Sequence, residues 1–182
     1  YVQQLEMESL GKPAQARSIF RSTGQSIFGG FGSTAQHSYF QLLTQGKRLV
    51  PVDFILPINS SGGHERDHTI SIADCLSQSE VMMEGYKNKD LRLCHLGNKP
   101  SNTIIFKQLN PESLGQLISL YEHKVFVENV IWGTNPFDQF GVELGKTLSN
   151  SLVKESSVDI SYKGLNASTK SLLAKIKIIK EK

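Results

Sequence analysis

The sequence has 182 residues, 38% of them hydrophobic, which is enough to bury the core of one globular domain. Lys and Arg (20) nearly balance Asp and Glu (17), which argues against a nucleic-acid or membrane binder and favours a small soluble partner. The two cysteines, Cys75 and Cys94, lack CxxC spacing, which argues against a disulfide scaffold or structural zinc site and favours a reducing compartment.

The N-terminal residues have neither a basic start nor the long apolar run of a secretory signal, and the chain starts with Tyr1 rather than Met. We therefore expect the natural protein to begin upstream of Tyr1. No stretch reaches the roughly 18 uninterrupted apolar residues of a membrane span. These features favour a cytoplasmic protein without a membrane partner.

Three short apolar, β-branched runs are predicted to form buried strands, each followed by a Gly, Asn or Pro boundary and then helical periodicity. Alternating strands and helices indicate a mainly parallel sheet with helices on both faces. The predicted strands are Ser26–Phe28, Arg48–Ile58 and Asn102–Leu109.

Apolar residues at helical spacing predict five helices, with the clearest apolar stripe in the third. The last helix combines Leu and Ile on one face with lysines elsewhere, which favours a packing arm with a solvated basic face over a membrane-surface helix. The fold class predicted is α/β, a three-layer αβα sandwich with a C-terminal helical arm. The predicted helices are Thr34–Gln45, Asp67–Glu84, Pro111–Val127, Phe137–Ser156 and Ser168–Lys180.

The segment HERDH, from His64 to His68, matches the H-E-x-x-H pattern in which two His bind zinc and Glu activates water. Two Ser and two Gly immediately precede His64, which places it in a loop or at a helix start, where the two imidazoles need not share a face. So short a pattern also arises often by chance. No metal site is therefore predicted.

The segment GFGSTA, from Gly30 to Ala35, matches the dinucleotide-binding fingerprint, with Asp53 further along as a candidate ribose ligand. The strand predicted before it is very short, and Asp53 lies within the next predicted strand rather than at its end. A nicotinamide enzyme is therefore a minor alternative, and no cofactor is predicted. The glycines indicate close backbone approach, and a helix that starts here favours anions such as sugar phosphates.

The run FDQFGVELGK, from Phe137 to Lys146, closely resembles a signature of glucose-6-phosphate isomerases. Four further segments resemble that family in the order expected of its final third, so the resemblance covers nearly the whole chain. They are YVQQLEMES (1–9), GGFGSTAQHSYFQLLTQG (29–46), GNKPSNTIIF (97–106) and LISLYEHKVFVENVIWGTNPFDQ (117–139). Departures such as Leu10, Ala35 and Pro136 affect packing and loop shape.

The resemblance implies a sugar isomerase type of αβα fold and an aldose–ketose isomerase of glycolysis and gluconeogenesis. It implies a partial sugar isomerase domain at 1–135, followed by C-terminal helices and an arm at 136–182. Its reaction opens the sugar ring, removes a proton from C2 and returns it to C1 through an enediol.

By resemblance, Glu8 is the carboxylate that acts as both base and acid, a role that suits a partly desolvated group. On sequence alone it reads as an ordinary solvated Glu. His37 resembles the histidine that helps to open the ring, although a lone His near a helix start is often a capping or core residue. Lys146 resembles the lysine near the ring oxygen or O1, although on a bare helix it would pair with Glu143.

Gln4 and Gln139 resemble glutamines that contact the substrate, and capping is nearly as good an explanation for both. In this family the phosphate-binding Ser/Thr loop and an Arg that stabilises the enediolate precede the matched segment. The family is dimeric, and its ring-opening histidine reaches the neighbouring subunit's site. We therefore expect the chain alone to be inactive and to need the N-terminal part of the enzyme as its partner. A non-catalytic sugar-phosphate-binding module is the second reading.

Overall fold

The computed structural model describes residues 1–13, 19–20, 23–153 and 164–181. It is a mixed α/β structure, as predicted. In chain order its elements are α1 (Val2–Leu10), α2 (Gly32–Gln36), α3 (Phe40–Gln45), β1 (Val52–Asn59), α4 (Glu65–Glu84), a 3-10 turn (Leu91–Leu93), β2 (Ser101–Gln108), α5 (Pro111–Trp132), α6 (Phe140–Leu152) and α7 (Ala167–Lys180).

The sheet of the described chain consists of β1 and β2, which pair in parallel from Val52 opposite Ser101 to Asn59 opposite Gln108. Helix α4 connects the two strands and packs against both, which makes a βαβ unit. The imidazole Nε2 of His68, in the first turn of α4, lies 3.1 Å from the carbonyl oxygen of Pro57 and holds the helix to the end of β1.

The predicted strand Ser26–Phe28 is wrong, because residues 23–31 form neither a strand nor a helix. Instead of joining the sheet, these residues contact α1 and the turn that follows α2. The carbonyl of Ile27 accepts a hydrogen bond from the Gln3 side chain at 2.8 Å, and the Phe28 ring meets that of Tyr39 edge-on at 5.0 Å. Three residues, of which two are apolar, are too few to outweigh such contacts by strand propensity alone.

The helix predicted at Thr34–Gln45 is divided into α2 and α3 by a turn at 37–39. The turn allows Ala35 of α2 and Phe40 and Leu43 of α3 to face one buried cluster, against which Phe54 of β1 also packs.

The remaining helices agree with the prediction except at their ends. Helix α5 begins at a capping box between Asn110 and Ser113 and continues past Val127 to Trp132, where Gly133 stops it at a φ of +69°. Helix α6 starts three residues later than predicted, and the predicted end at 154–156 lies outside the described residues. Helix α1 was not predicted.

A buried lysine, Lys99, joins the segments that precede the two strands. Lys99 is only 6% exposed, and its ammonium donates hydrogen bonds to the carbonyl oxygens of Gly46 and, at 2.8 Å, Arg48. The side chain therefore ties the turn before β1 to the start of β2, and both hydrogen bonds offset the cost of burying its charge.

Helices α1 and α5 come from distant parts of the chain and pack against each other. Leu10 is fully buried at the end of α1, and Val125 of α5 is also buried. By contrast, α6 has no buried residue among those described, and Phe140, Leu144 and Leu148 are all more than half exposed. Within the described part of the chain, no helix is long and apolar enough to cross a membrane.

Candidate active site groove

A groove of about 410 Å³ lies between α1 and the start of α6. Glu8 contributes the α1 side, and the loop and first turn of α6 contribute the other. Gln139 is the residue immediately before α6. The lining residues are Glu8, Pro136, Phe137, Asp138, Gln139, Phe140 and Glu143. The groove therefore joins Glu8 and Gln139, two predicted site residues from nearly opposite ends of the chain.

The helical spacing of α1 explains why Glu8 faces outward. Glu6 and Leu10, four residues apart, share a face and are both fully buried. Glu8 lies about 200° around the helix from Glu6, since each residue turns the helix by about 100°. Its side chain is accordingly exposed at the groove. The partial desolvation expected for this carboxylate is not provided by the described residues.

Lys12, just after α1, holds the two walls of the groove together. Its ammonium lies 3.1 Å from the carboxylate of Asp138, and it also donates a hydrogen bond to the carbonyl oxygen of Asn135. The side chain of Asn135 in turn accepts a hydrogen bond of 3.0 Å from the amide of Phe137. These contacts fix the loop before α6 against the end of α1.

The groove is acidic and partly apolar. Three carboxylates line it, those of Glu8, Asp138 and Glu143, and among the described residues a cation pairs with that of Asp138 alone. Phe137 and Phe140 are 84% and 70% exposed. Carboxylates and amides suit sugar hydroxyls, but the negative charges repel a phosphate. A phosphorylated sugar would need its anion held by groups outside this lining.

A buried charged cluster lies behind Glu8, between α1 and α5. The Glu6 side chain has no solvent exposure and forms a close salt bridge with Lys124, while the Gln25 amide donates to its other oxygen at 2.9 Å. Lys124 also lies 3.5 Å from Glu128. Burial raises the pKa of Glu128; the charge of Lys124 opposes this rise, and that of Glu6 adds to it.

Sequence reasoning missed this cluster. The only signals for it are the i, i+2 spacing of Glu6 and Glu8 and the i, i+4 spacing of Lys124 and Glu128. Neither spacing distinguishes a buried ion pair from a solvated one.

The other predicted site residues lie apart from this groove's lining as far as the described chain shows it. Gln4 is exposed one turn before Glu8. His37 is exposed at the end of α2, where its backbone amide donates to the carbonyl of Thr34 at 3.3 Å. Lys146 is exposed on α6, three residues after Glu143 of the groove wall.

The two short sequence motifs have structural explanations. His64 immediately precedes α4, and His68 bonds the end of β1, so the HERDH segment links strand to helix. Residues 23–29, just before the GFGSTA segment, form no strand. Asp53 is held within the sheet, since its carboxylate accepts hydrogen bonds from Asn102 at 2.8 Å and the Tyr121 hydroxyl at 3.1 Å. Burial, together with the Asp53 charge, raises the pKa of Tyr121 to about 12.

Comparison with known proteins gives a consistent result. The family model described as phosphoglucose isomerase matches residues 1–173. The chain is 41% identical over 201 aligned residues to a glucose-6-phosphate isomerase of Beijerinckia indica, covering 97% of this chain and 36% of that protein. It is 43% identical over 192 residues to glucose-6-phosphate isomerase 2 of Chromobacterium violaceum, covering 95% and 35%.

The structural comparison agrees. A crystal structure of a glucose-6-phosphate isomerase from Chlamydia trachomatis superimposes with a TM-score of 0.78 at 31% sequence identity, covering 98% of this chain and 35% of that one. The chain thus spans little more than a third of the length of the relatives that it matches.

Proposed function

The chain belongs to the phosphoglucose isomerase family, and we propose from this that it forms part of an enzyme that interconverts glucose 6-phosphate and fructose 6-phosphate. The observation that carries the proposal is the groove in which Glu8 and Gln139 face the same space. The chain supplies the acid–base part of the reaction, and the phosphate is held by a part of the enzyme outside it.

Glu8 is the proposed acid–base catalyst. In the open-chain aldose its carboxylate takes the proton from C2, and the electrons of that C–H bond form the C1–C2 double bond of an enediol as O1 is protonated. The carboxylic acid then returns the proton to C1, while loss of the O2 proton generates the ketone at C2. The position of Glu8 on the groove wall supports this role, because a base must reach the carbon that it deprotonates.

Gln139 and Gln4 are proposed to bind the substrate. Gln139 lines the groove, where its amide can donate to and accept from sugar hydroxyls. Gln4 lies one helical turn before Glu8 and extends the same side of α1. A substrate longer than the groove would contact both.

His37 and Lys146 are proposed to assist ring opening. An imidazole can transfer the proton between O1 and the ring oxygen, and an ammonium stabilises the negative charge that develops there. Both side chains are exposed. The exposure of His37 away from the groove is consistent with a dimer in which it serves the neighbouring subunit.

The acidic lining supports the proposal that the phosphate is held elsewhere. Phosphate sites in proteins use helix N-termini, Arg or Lys, whereas this groove presents Glu8, Asp138 and Glu143. The proposed partner is the part of the enzyme outside the matched segment, and the exposed apolar side chains of α6 are where we expect it to pack. The division of this chain at residues 135 and 136 remains a prediction.

The test is a coupled assay of the chain alone and of a complemented enzyme, a chimera in which this chain replaces the matching segment of the Beijerinckia indica relative. We expect no measurable turnover from the chain alone and clear turnover from the complemented enzyme. In the latter, Glu8→Gln should lower kcat by about 10²- to 10⁴-fold, the usual contribution of a general acid–base group. Glu112→Gln removes an exposed carboxylate at the start of α5 and should leave kcat unchanged.

Robust turnover by the isolated chain would contradict the proposed division of labour. Full activity in the Glu8→Gln chimera would contradict the proposed catalyst. Sugar-phosphate binding by calorimetry, with no turnover in a correctly folded chimera, would instead support a non-catalytic binding module. Calorimetry with NAD tests the nicotinamide-enzyme alternative, and elemental analysis tests the zinc-site alternative. Bound NAD or bound zinc would support the corresponding alternative.

A further inference from the structure

The charged cluster behind Glu8 has no place in the chemistry proposed above. Glu6 is fully buried although it lies on a nine-residue surface helix, and burial of a carboxylate is costly unless it is paired and hydrogen-bonded. Both of its oxygens have partners: Lys124 Nζ bonds Oε1, and Gln25 Nε2 bonds Oε2 at 2.9 Å. Hydrophobic side chains could fill this space with less desolvation.

We propose, on the basis of the function proposed above, that Glu6 and Lys124 are positioning residues, whose buried ion pair fixes the rotation of α1 so that Glu8 points into the groove. A short helix packed only through apolar side chains can rotate and slide, because hydrophobic contacts are not directional. A buried ion pair is directional, since leaving the pair exposes an unpaired charge to a low-dielectric interior.

The geometry of α1 makes the coupling direct. Glu6 and Glu8 are two residues apart on the same helix, so a rotation that displaces one displaces the other by the same angle. Lys124 belongs to α5, a 22-residue helix whose N-terminus is fixed by the Asn110 capping box. The orientation of Glu8 is therefore set through α5, a long helix with a capped N-terminus.

Other contacts hold the two ends of α1, and at its start the Tyr1 hydroxyl donates a hydrogen bond to the Glu122 carboxylate of α5. Gln3 donates to the carbonyl of Ile27 at 2.8 Å near the start of the helix. Lys12 contacts Asp138 just after its end. The cluster around Glu6 lies between these two attachments and contacts the buried face.

The experiment measures kcat, KM and proton transfer in the complemented enzyme. Lys124→Met should lower kcat at least tenfold with KM within about twofold, because a 1 Å displacement of a catalytic group costs up to about 10²-fold in rate. Lys124→Arg, which keeps the charge, should recover most of kcat. The matched control Lys89→Met removes an exposed lysine and should change neither parameter.

Proton transfer gives a readout that a simple loss of stability would not change. With substrate carrying tritium at C2, a well-aimed carboxylate returns part of the label to C1, whereas a misdirected one exchanges more of it with water. We expect the fraction of label retained per turnover to fall in Lys124→Met and to recover in Lys124→Arg. This fraction does not depend on how much of the protein is folded.

A second variant covers the case in which Lys124→Met does not fold. Glu6→Gln combined with Lys124→Met removes both charges of the pair and should fold, since neutral replacements of buried pairs are often tolerated. It should still show the lower kcat and lower label retention. Normal kcat and retention in this folded double variant would overturn the proposal, as would a kcat loss in Lys124→Met that only follows the folded fraction.

The outcomes also separate this proposal from the function on which it rests. If Glu8→Gln is inactive while the double variant has normal kcat and retention, only the positioning role fails. If Glu8→Gln retains full activity, the assignment of Glu8 fails first.

Discussion

The junction between α1 and α5 differs sharply from α6, although each forms one side of the candidate site. At the junction Leu10 and Glu6 are fully buried, and Glu6 is paired with Lys124. On α6, Phe140 and Leu144 are 70% and 66% exposed. The junction is complete within this chain, whereas α6 has an apolar surface without a covering layer in the described residues. The α1 wall of the groove is therefore packed within the described chain, and we expect α6 beyond its first turn to be packed by a partner.

The largest effect on stability is expected for Leu10→Ala. Removing a fully buried Leu leaves a cavity, and such changes typically cost about 2–5 kcal/mol. Urea denaturation of the isolated chain measures the loss. Leu91→Ala, at a side chain that is 83% exposed, is the matched control and should change the free energy of unfolding by less than about 0.5 kcal/mol. Equal losses for the two variants would show that the junction is not a real core.

The next effect is expected for Lys124→Met, which leaves the Glu6 carboxylate buried without its cation. Loss of one partner of a buried pair costs about 3–5 kcal/mol, and we expect about 2–3 kcal/mol because the Lys124 side chain is one-third exposed. The double variant with Glu6→Gln should regain most of this stability. A double variant as unstable as the single one would mean that packing, not charge, holds α1 against α5.

Tyr121→Phe should cost about 1 kcal/mol at neutral pH through the lost hydrogen bond to Asp53. The folded pKa of Tyr121, about 12, lies above its ordinary value of 10.0, so the unfolded chain releases the phenol proton first as pH rises. Wild-type stability from this group is therefore full below pH 10 and is lost between pH 10 and 12. Denaturation curves at stepped pH should show a smaller decline for Tyr121→Phe over that interval.

The smallest effect in the isolated chain is expected for Leu144→Ala on α6, below about 0.5 kcal/mol, because the side chain has little contact to lose. In the complemented enzyme the same change should lower the thermal midpoint measurably, since we expect that surface to be covered there. Calorimetry of the two forms checks the contrast. An equal response in both would indicate that α6 stays solvated in the assembled enzyme.

Much of the fold could be predicted from the sequence, because the strands at Val52–Asn59 and Ser101–Gln108 are rich in apolar and β-branched residues, and one end of α4 (Glu84) and one end of α5 (Pro111) lie where predicted. The capping box at Asn110 shows why one of these boundaries was readable. The strand at 26–28 and the unbroken helix at 34–45 were wrong because tertiary contacts of Phe28, Tyr39 and Phe40 outweigh short-range propensity.

The candidate site could be predicted only in part. Glu8 and Gln139 could be named only through the family resemblance, and their shared groove appears only when α1 and α6 are placed in space. Glu6 and Lys124 escaped notice because charged side chains are normally solvated. Burial of that kind depends on the partner helix, which lies over a hundred residues further along the chain.

The burial of Lys99 makes local opening of the sheet measurable by chemical labelling. Its amine is shielded by the carbonyl oxygens of Gly46 and Arg48, so a reagent that acylates amines can reach it only after the turn before the first strand has lifted away. The rate at which this one lysine is labelled, set against that of exposed lysines such as Lys89, would therefore time local opening at the start of the sheet without any introduced probe.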